Sequence, residues 1–234
     1  MMKHSRPRVL LVDDSATIRY AMQSRLQRLG CEVDSVAEGR AALAAIQARP
    51  YGLVLLDCFL PDILGQEVAR EVRLLEQARP ERPYTPLIGI SAEADPGHVQ
   101  RCLECGMDGM LDKPLQTQAI RRLLALWCDH ELGEEAASGS AGEAHEQDLA
   151  RLFVSTSRHD LDALQQAREA GDLAQMGRLT HRMKGAALTM GRNEIVALLE
   201  CVEEALRGGP GATDALGLLL QSLGNALQAS SQPV

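Results

Sequence analysis

Over the first 130 residues, short apolar runs alternate with longer stretches in which apolar residues recur every three or four positions. The runs Arg8–Val12, Glu32–Val36, Leu53–Leu56, Leu87–Ile90 and Gly109–Leu111 predict strands. Between and after them, Ala16–Leu29, Gly39–Ala48, about Gln66–Gln77, Pro96–Glu104 and Gln116–His130 predict helices. Ser15 is placed to cap the first helix and Gly30 to end it. Five β-α units in succession predict an α/β doubly wound, five-stranded parallel sheet with helices on both faces.

The pattern breaks at Glu131–Glu146, a small, acidic, Gly- and Ser-containing stretch that reads as a linker. From Gln147 onward there is no strand signal. Helical spacing recurs through Leu149–Val154, Leu161–Ala170, Leu173–Met190, Glu194–Leu206 and Ala212–Leu227. Gly171-Asp172, Gly191-Arg192-Asn193 and Gly208-Gly209-Pro210-Gly211 punctuate these stretches. The expected organisation is an α/β domain over 1–130, a linker over 131–146 and an all-α four-helix-bundle domain over 147–234, with room for a fifth short helix.

Charge sharpens the division. Residues 1–130 carry a net charge of -1 and residues 131–234 a net charge of -7. The acidic half is a poor match for nucleic-acid phosphates, so no direct nucleic-acid contact is expected. No apolar stretch is long enough for membrane insertion or a signal core, and the six cysteines form no secreted disulfide framework. A cytoplasmic location is expected.

In an open α/β sheet, ligands bind beyond the carboxyl ends of the strands. The first strand ends in Asp13-Asp14, the third in Asp57 and the fourth in Ser91, and Lys113-Pro114 follows the fifth. Three converging carboxylates repel one another unless a hard divalent cation lies between them, and all-oxygen ligation suits Mg²⁺. A Lys and a hydroxyl nearby would hold the remaining oxygens of a tetrahedral anion. These five residues, in this order and strand context, resemble the receiver domain of two-component response regulators over about residues 7–130. The resemblance implies a flavodoxin-like fold and assigns roles. Asp57 is the phosphoacceptor. Asp14 and Asp57 are direct Mg²⁺ ligands with the backbone carbonyl of Phe59, and Asp13 acts largely through water. Ser91 senses the phosphoryl group and Lys113 neutralises it. Met110 stands where the family's switch aromatic is expected, and Phe59 stands two after the nucleophile, where a polar residue is common. A bulky apolar group there is expected to impede attacking water.

In the second half, His181 is followed by Lys184 and Gly185, at i+3 and i+4 on one helical face. A mid-helix Gly costs roughly 1 kcal/mol relative to Ala, and close approach of a partner would account for it. This H-x-x-K-G segment, on the third predicted helix of a strand-free acidic region, resembles the histidine phosphotransfer (HPt) domain over about 147–228. The resemblance implies that His181 carries a phosphoryl group and Lys184 neutralises it. Glu200 lies on the following amphipathic helix. The remaining histidines read as incidental: His4 and His145 in tails or linkers, and His98, His130 and His159 as solvated helix residues. Cys102-x-x-Cys105 lacks a second pair and reads as ordinary helix.

The two resemblances together imply a Mg²⁺-dependent phosphorelay intermediate rather than a turnover enzyme. A sensor histidine kinase would be its phosphodonor and a downstream response regulator receiver its target. No kinase ATP-binding motif is visible, so the donor is separate. The same architecture occurs as the tail of hybrid sensor kinases; Met1-Met2 weighs toward a free-standing protein. The alternative is a phosphorylation-dependent interaction switch whose helical domain is a dimerisation or scaffold module.

Overall fold

The computed structural model describes residues 6–92, 95–128, 140–208 and 213–230, without the side chains of 140–144 and 213–215. His4, His130, most of the expected linker and the Gly209-Pro210-Gly211 break lie outside the described residues. The chain divides into two compact units, residues 1–137 and 138–234.

In the first unit, β1 (Arg8–Val12), β2 (Glu32–Val36), β3 (Leu53–Asp57), β4 (Leu87–Ser91) and β5 (Gly109–Asp112) form one sheet in the order β2-β1-β3-β4-β5. Every pairing is parallel. Helices α1 (Ala16–Arg28), α2 (Gly39–Ala48), α3 (Gly65–Ala78), α4 (Pro96–Glu104) and α5 (Thr117–Cys128) connect the strands or follow them. The two-residue period of the strands sorts their side chains between two cores. Leu10, Val12, Val54 and Leu56 pack with Ala42, Ile46, Val68 and Val72 of α2 and α3. Val9, Leu11, Leu53 and Leu55 pack with Ile18, Met22, Ile120 and Leu124 of α1 and α5. Because β3 is buried on both faces throughout, it reads as a continuous apolar run that ends in a carboxylate. The order of connection reverses between β1 and β3, and the crevice at their carboxyl ends is where a ligand is expected.

The second unit consists of α6 (Ser140–Ala170), α7 (Leu173–Thr189), α8 (Asn193–Arg207) and α9 (Thr213–Ala229). Phe153, Leu164, Met183, Leu199 and Leu223 lie in its core, each almost fully buried. Two expectations change here. Leu149–Val154 and Leu161–Ala170 belong to one helix, and that helix begins at Ser140, inside the stretch read as linker. Along the polar stretch between them, the Ser155 and Thr156 hydroxyls donate to the Leu152 carbonyl, at 3.0 and 2.8 Å, so these groups are satisfied within the helix. His181 consequently lies on the second helix of the unit, not the third. Among the described residues no helix is long and apolar enough to cross a membrane.

Candidate functional site

The first cluster forms where β1, β3 and β5 end. Asp13 follows β1 directly, and its Oδ1 accepts the Ser15 N–H at 2.8 Å. The Ser15 hydroxyl in turn accepts the Ile18 N–H at 3.4 Å as the N-cap of α1. Arg19 donates to the Asp13 carbonyl at 2.7 Å, a brace that the sequence alone did not reveal. These contacts bind the acidic turn to the start of α1. Asp57 closes β3, and its Oδ1 accepts the Phe59 N–H at 3.1 Å.

Lys113 joins the two carboxylates. Its ammonium donates to Asp57 Oδ2 at 2.7 Å and lies 2.9 Å from Asp13 Oδ2, an ion-pair distance without hydrogen-bond geometry. All three side chains are buried. Burial pushes the Asp13 carboxyl up to about 6, against the pull of Lys113, and the Asp57 charge adds to the rise. Burial opposes the Lys113 ammonium, but Asp13 and Asp57 outweigh it and hold the group above its ordinary value. Carboxylate oxygens of Asp13, Asp14 and Asp57 lie within 4.8 Å of one another. Ser91 is fully buried at the end of β4, and the Lys113 N–H donates to its carbonyl at 2.7 Å. The five strand-end residues of the sequence reading therefore lie together at one edge of the sheet.

This donor set fits a hard divalent ion. It is all oxygen, carries excess negative charge, and includes a buried carboxylate oxygen, Asp13 Oδ2, that accepts no hydrogen bond. One cation, Lys113, cannot neutralise three carboxylates.

Around this cluster the structure changes the reading of His98. His98 is buried, not solvated, and its ring stacks on Phe59 with centroids 5.8 Å apart. Phe59 is thus turned toward α4. Met110, at the expected switch-aromatic position, packs over Gly89 of β4. A Cβ on Gly89 would fall 2.2 Å from Met110 Sδ and 2.8 Å from Met107 Sδ.

The second cluster lies on α7. Asp172 caps the helix by accepting the Gln175 N–H at 2.8 Å. His181 is part-exposed, with Nε2 shielded from solvent. Its neighbour Arg182 pairs with Asp160 of α6, at 2.5 Å through Nη2 and 3.2 Å through Nε. Lys184 is buried, and its ammonium donates to Glu203 of α8 at 2.7 Å. Glu203 is an acid that meets the motif lysine, and the sequence reading did not single it out. A pair made across two consecutive helices, 19 residues apart, leaves no local signal. Gly185 is buried within the bundle.

Comparison with known proteins finds one family along each half of the chain. The response regulator receiver domain matches residues 9–125, and the Hpt domain matches residues 148–232. The virulence sensor protein BvgS of Bordetella parapertussis is 28% identical over 241 residues, covering 92% of this chain and 20% of that protein. The sensor histidine kinase AruS of Pseudomonas aeruginosa is 31% identical over 214 residues, covering 87% of this chain and 21% of that protein. The chain thus spans about a fifth of the length of these curated relatives. Among solved structures, a Pseudomonas aeruginosa sensor-kinase receiver domain with magnesium in its active-site cleft is 31% identical. It covers 54% of this chain and 100% of its own, with a TM-score of 0.48. The Saccharomyces cerevisiae complex of the phosphotransfer protein Ypd1 with the Ssk1 receiver domain is 18% identical. It covers 56% of this chain and 94% of its own, with a TM-score of 0.51.

Proposed function

Because the chain belongs to the response regulator receiver domain family and carries an Hpt domain behind it, we propose that it is a phosphorelay intermediate that takes a phosphoryl group on Asp57 and carries one on His181. The observation that carries this reading is the buried convergence of Asp13, Asp57 and Lys113, with Asp14 completing the carboxylate set. Asp57 attacks phosphorus as the bond to a donor imidazole nitrogen breaks, so the donor is a phosphohistidine of a sensor histidine kinase. Lys113, already on Asp57 Oδ2, neutralises the charge that arrives. The Ser91 hydroxyl would hold a further oxygen. Asp13, Asp14, Asp57 and the Phe59 carbonyl would hold Mg²⁺, which supplies charge neutralisation and orients a phosphoryl oxygen.

His181 receives or returns the group in a second transfer, and another response regulator receiver is the next partner. The shielding of Nε2 means that reaction at this nitrogen requires the ring to turn. Both transfers are reversible exchanges between a carboxylate and an imidazole. The protein therefore acts as a carrier, and its work lies within the aqueous compartment of its kinase.

One observation favours the second reading, in which the bundle is a scaffold without transfer chemistry. Lys184 is buried against Glu203, which is what a structural lysine does. Radiolabel transfer from a phosphorylated histidine kinase decides between the two. The relay predicts a base-labile acyl phosphate lost in Asp57→Ala and an acid-labile phosphoramidate lost in His181→Gln. Unchanged phosphoryl traffic in His181→Gln would establish the scaffold.

A further inference from the structure

Directly behind the phosphoacceptor lies a second set of ligand atoms of different chemistry. Cys58, the residue after Asp57, and Cys102 of α4 are fully buried, and His98 of α4 is 6% exposed. The two sulfurs are 3.8 Å apart, and Cys102 Sγ is 3.7 Å from His98 Nε2. All three atoms lie within 4.8 Å of one another. Metal–sulfur bonds of about 2.3 Å and metal–nitrogen bonds of about 2.0–2.1 Å make tetrahedral edges of about 3.8 Å for S···S and about 3.5 Å for S···N. The Cys58–Cys102 and Cys102–His98 spacings match those edges before any ion is added, and the third edge is no longer than 4.8 Å.

We propose that Cys58, Cys102 and His98 form a second metal site, for a thiophilic divalent cation of the Zn²⁺ type, next to the phosphoacceptor loop. Soft sulfur and imidazole donors separate this site from the all-oxygen Mg²⁺ cluster. Each thiol releases its proton to solvent on binding. Two thiolates then balance a divalent charge, leaving a neutral centre among the apolar side chains of the sheet core. Gln66 of α3 lies with Nε2 3.4 Å from Cys102 Sγ, placed to donate to a thiolate from outside the ligand set. An apolar core accounts for buried cysteines, but it does not call for an imidazole nitrogen directed at one of them. Cys58 and His98 attach the site to β3 and α4, and Phe59 stacks on the same imidazole. A bound ion would therefore tie the 57–59 loop to α4.

The test uses the full chain with saturating Mg²⁺, so that the carboxylate cluster is filled, and Co²⁺ as the optical probe. The expected result is one thiolate-to-cobalt charge-transfer band, saturating at one ion per chain and bleached by Zn²⁺. Cys102→Ser and His98→Gln, checked for folding by circular dichroism, should each weaken Zn²⁺ by more than about 100-fold. Cys105→Ser and Cys201→Ser should leave it unchanged. Absence of the band in folded wild-type protein overturns the proposal, whatever the variants do. So does a band that survives in Cys58→Ser/Cys102→Ser, uptake of Cu⁺ that Zn²⁺ cannot displace, or a Cys58–Cys102 disulfide formed in place of metal uptake. The readout is metal binding rather than phosphoryl traffic, so either proposal can fail without the other.

Discussion

Replacing Gly65 with Ala tests whether the backbone behind Asp57 fixes the reactivity of the carboxylate. Gly65 opens α3, and its N–H donates to the Cys58 carbonyl at 3.0 Å. An added Cβ would sit 2.3 Å from the Asp57 carbonyl oxygen, 3.0 Å from Cys58 Cα and 3.2 Å from the Asp57 carbonyl carbon. All three are backbone atoms, so no side chain can rotate out of the way. Restoring an ordinary contact needs a shift of about 1 Å between β3 and α3. Overpacking of this size costs about 1–3 kcal/mol. A 1 Å displacement of a reacting group can cost on the order of 100-fold in rate. Gly65→Ala should therefore lose about 2 kcal/mol in urea unfolding and roughly 100-fold in Asp57 phosphorylation by a small acyl-phosphate donor with Mg²⁺. Gly39→Ala is the comparator. Its Cβ would meet Ile63 Cγ1 at 2.5 Å and Val68 Cγ2 at 2.9 Å, both side-chain atoms away from Asp57. It should lose stability while keeping the rate. Wild-type phosphorylation in Gly65→Ala, or an equal rate loss in Gly39→Ala, would refute the argument.

Three further outcomes are expected. The Asp13 carboxyl titrates near 6 in the fold against 3.8 in the open chain, so its ionisation disfavours the fold as pH rises through that window. In chelator, wild type should lose up to about 3 kcal/mol relative to Asp13→Asn between those two pH values, with no further divergence above them; Mg²⁺ should flatten the difference, as urea titrations across the range would show. Glu203→Ala removes the carboxylate paired with the buried Lys184 ammonium and should lower unfolding free energy by about 3 kcal/mol, whereas Lys184→Met with Glu203→Leu should recover most of it. Gly177 lies within α7 with nothing within 4 Å of an added Cβ, so Gly177→Ala should raise the melting temperature, by about 1 kcal/mol of added stability.

What the sequence disclosed follows from how local each signal is. The strands of the first unit are short apolar runs whose ends carry chemistry, and a parallel sheet must bring such ends to one edge. Asp13, Asp57, Ser91 and Lys113 were therefore legible together before any distance was known. The linker boundary was obscured because the residues after Ser140 are small and acidic, a composition shared by surface helix and tether. The two helical stretches ending at Val154 and starting at Leu161 were read apart because the residues between them are mostly polar and carry no apolar period, yet the helix runs through them. Lys184 with Glu203, and Cys58 with Cys102, were illegible for a different reason. Each pair is made by packing between elements distant in sequence, and neither residue changes the local period.

Met110 over Gly89 has a consequence for how a bound phosphoryl group could be read out. An aromatic ring in a slot has few resting positions, so it reports in two values. Methionine has three rotatable side-chain bonds and a polarisable tip, and here that tip shares its space with Met107 above a residue that has no side chain. If several of its rotamers fit that space, a change at Asp57 would redistribute them rather than flip one ring. The signal leaving this face of the sheet would then be graded, an analogue quantity visible as a continuous drift of the Met110 methyl resonance during titration with donor.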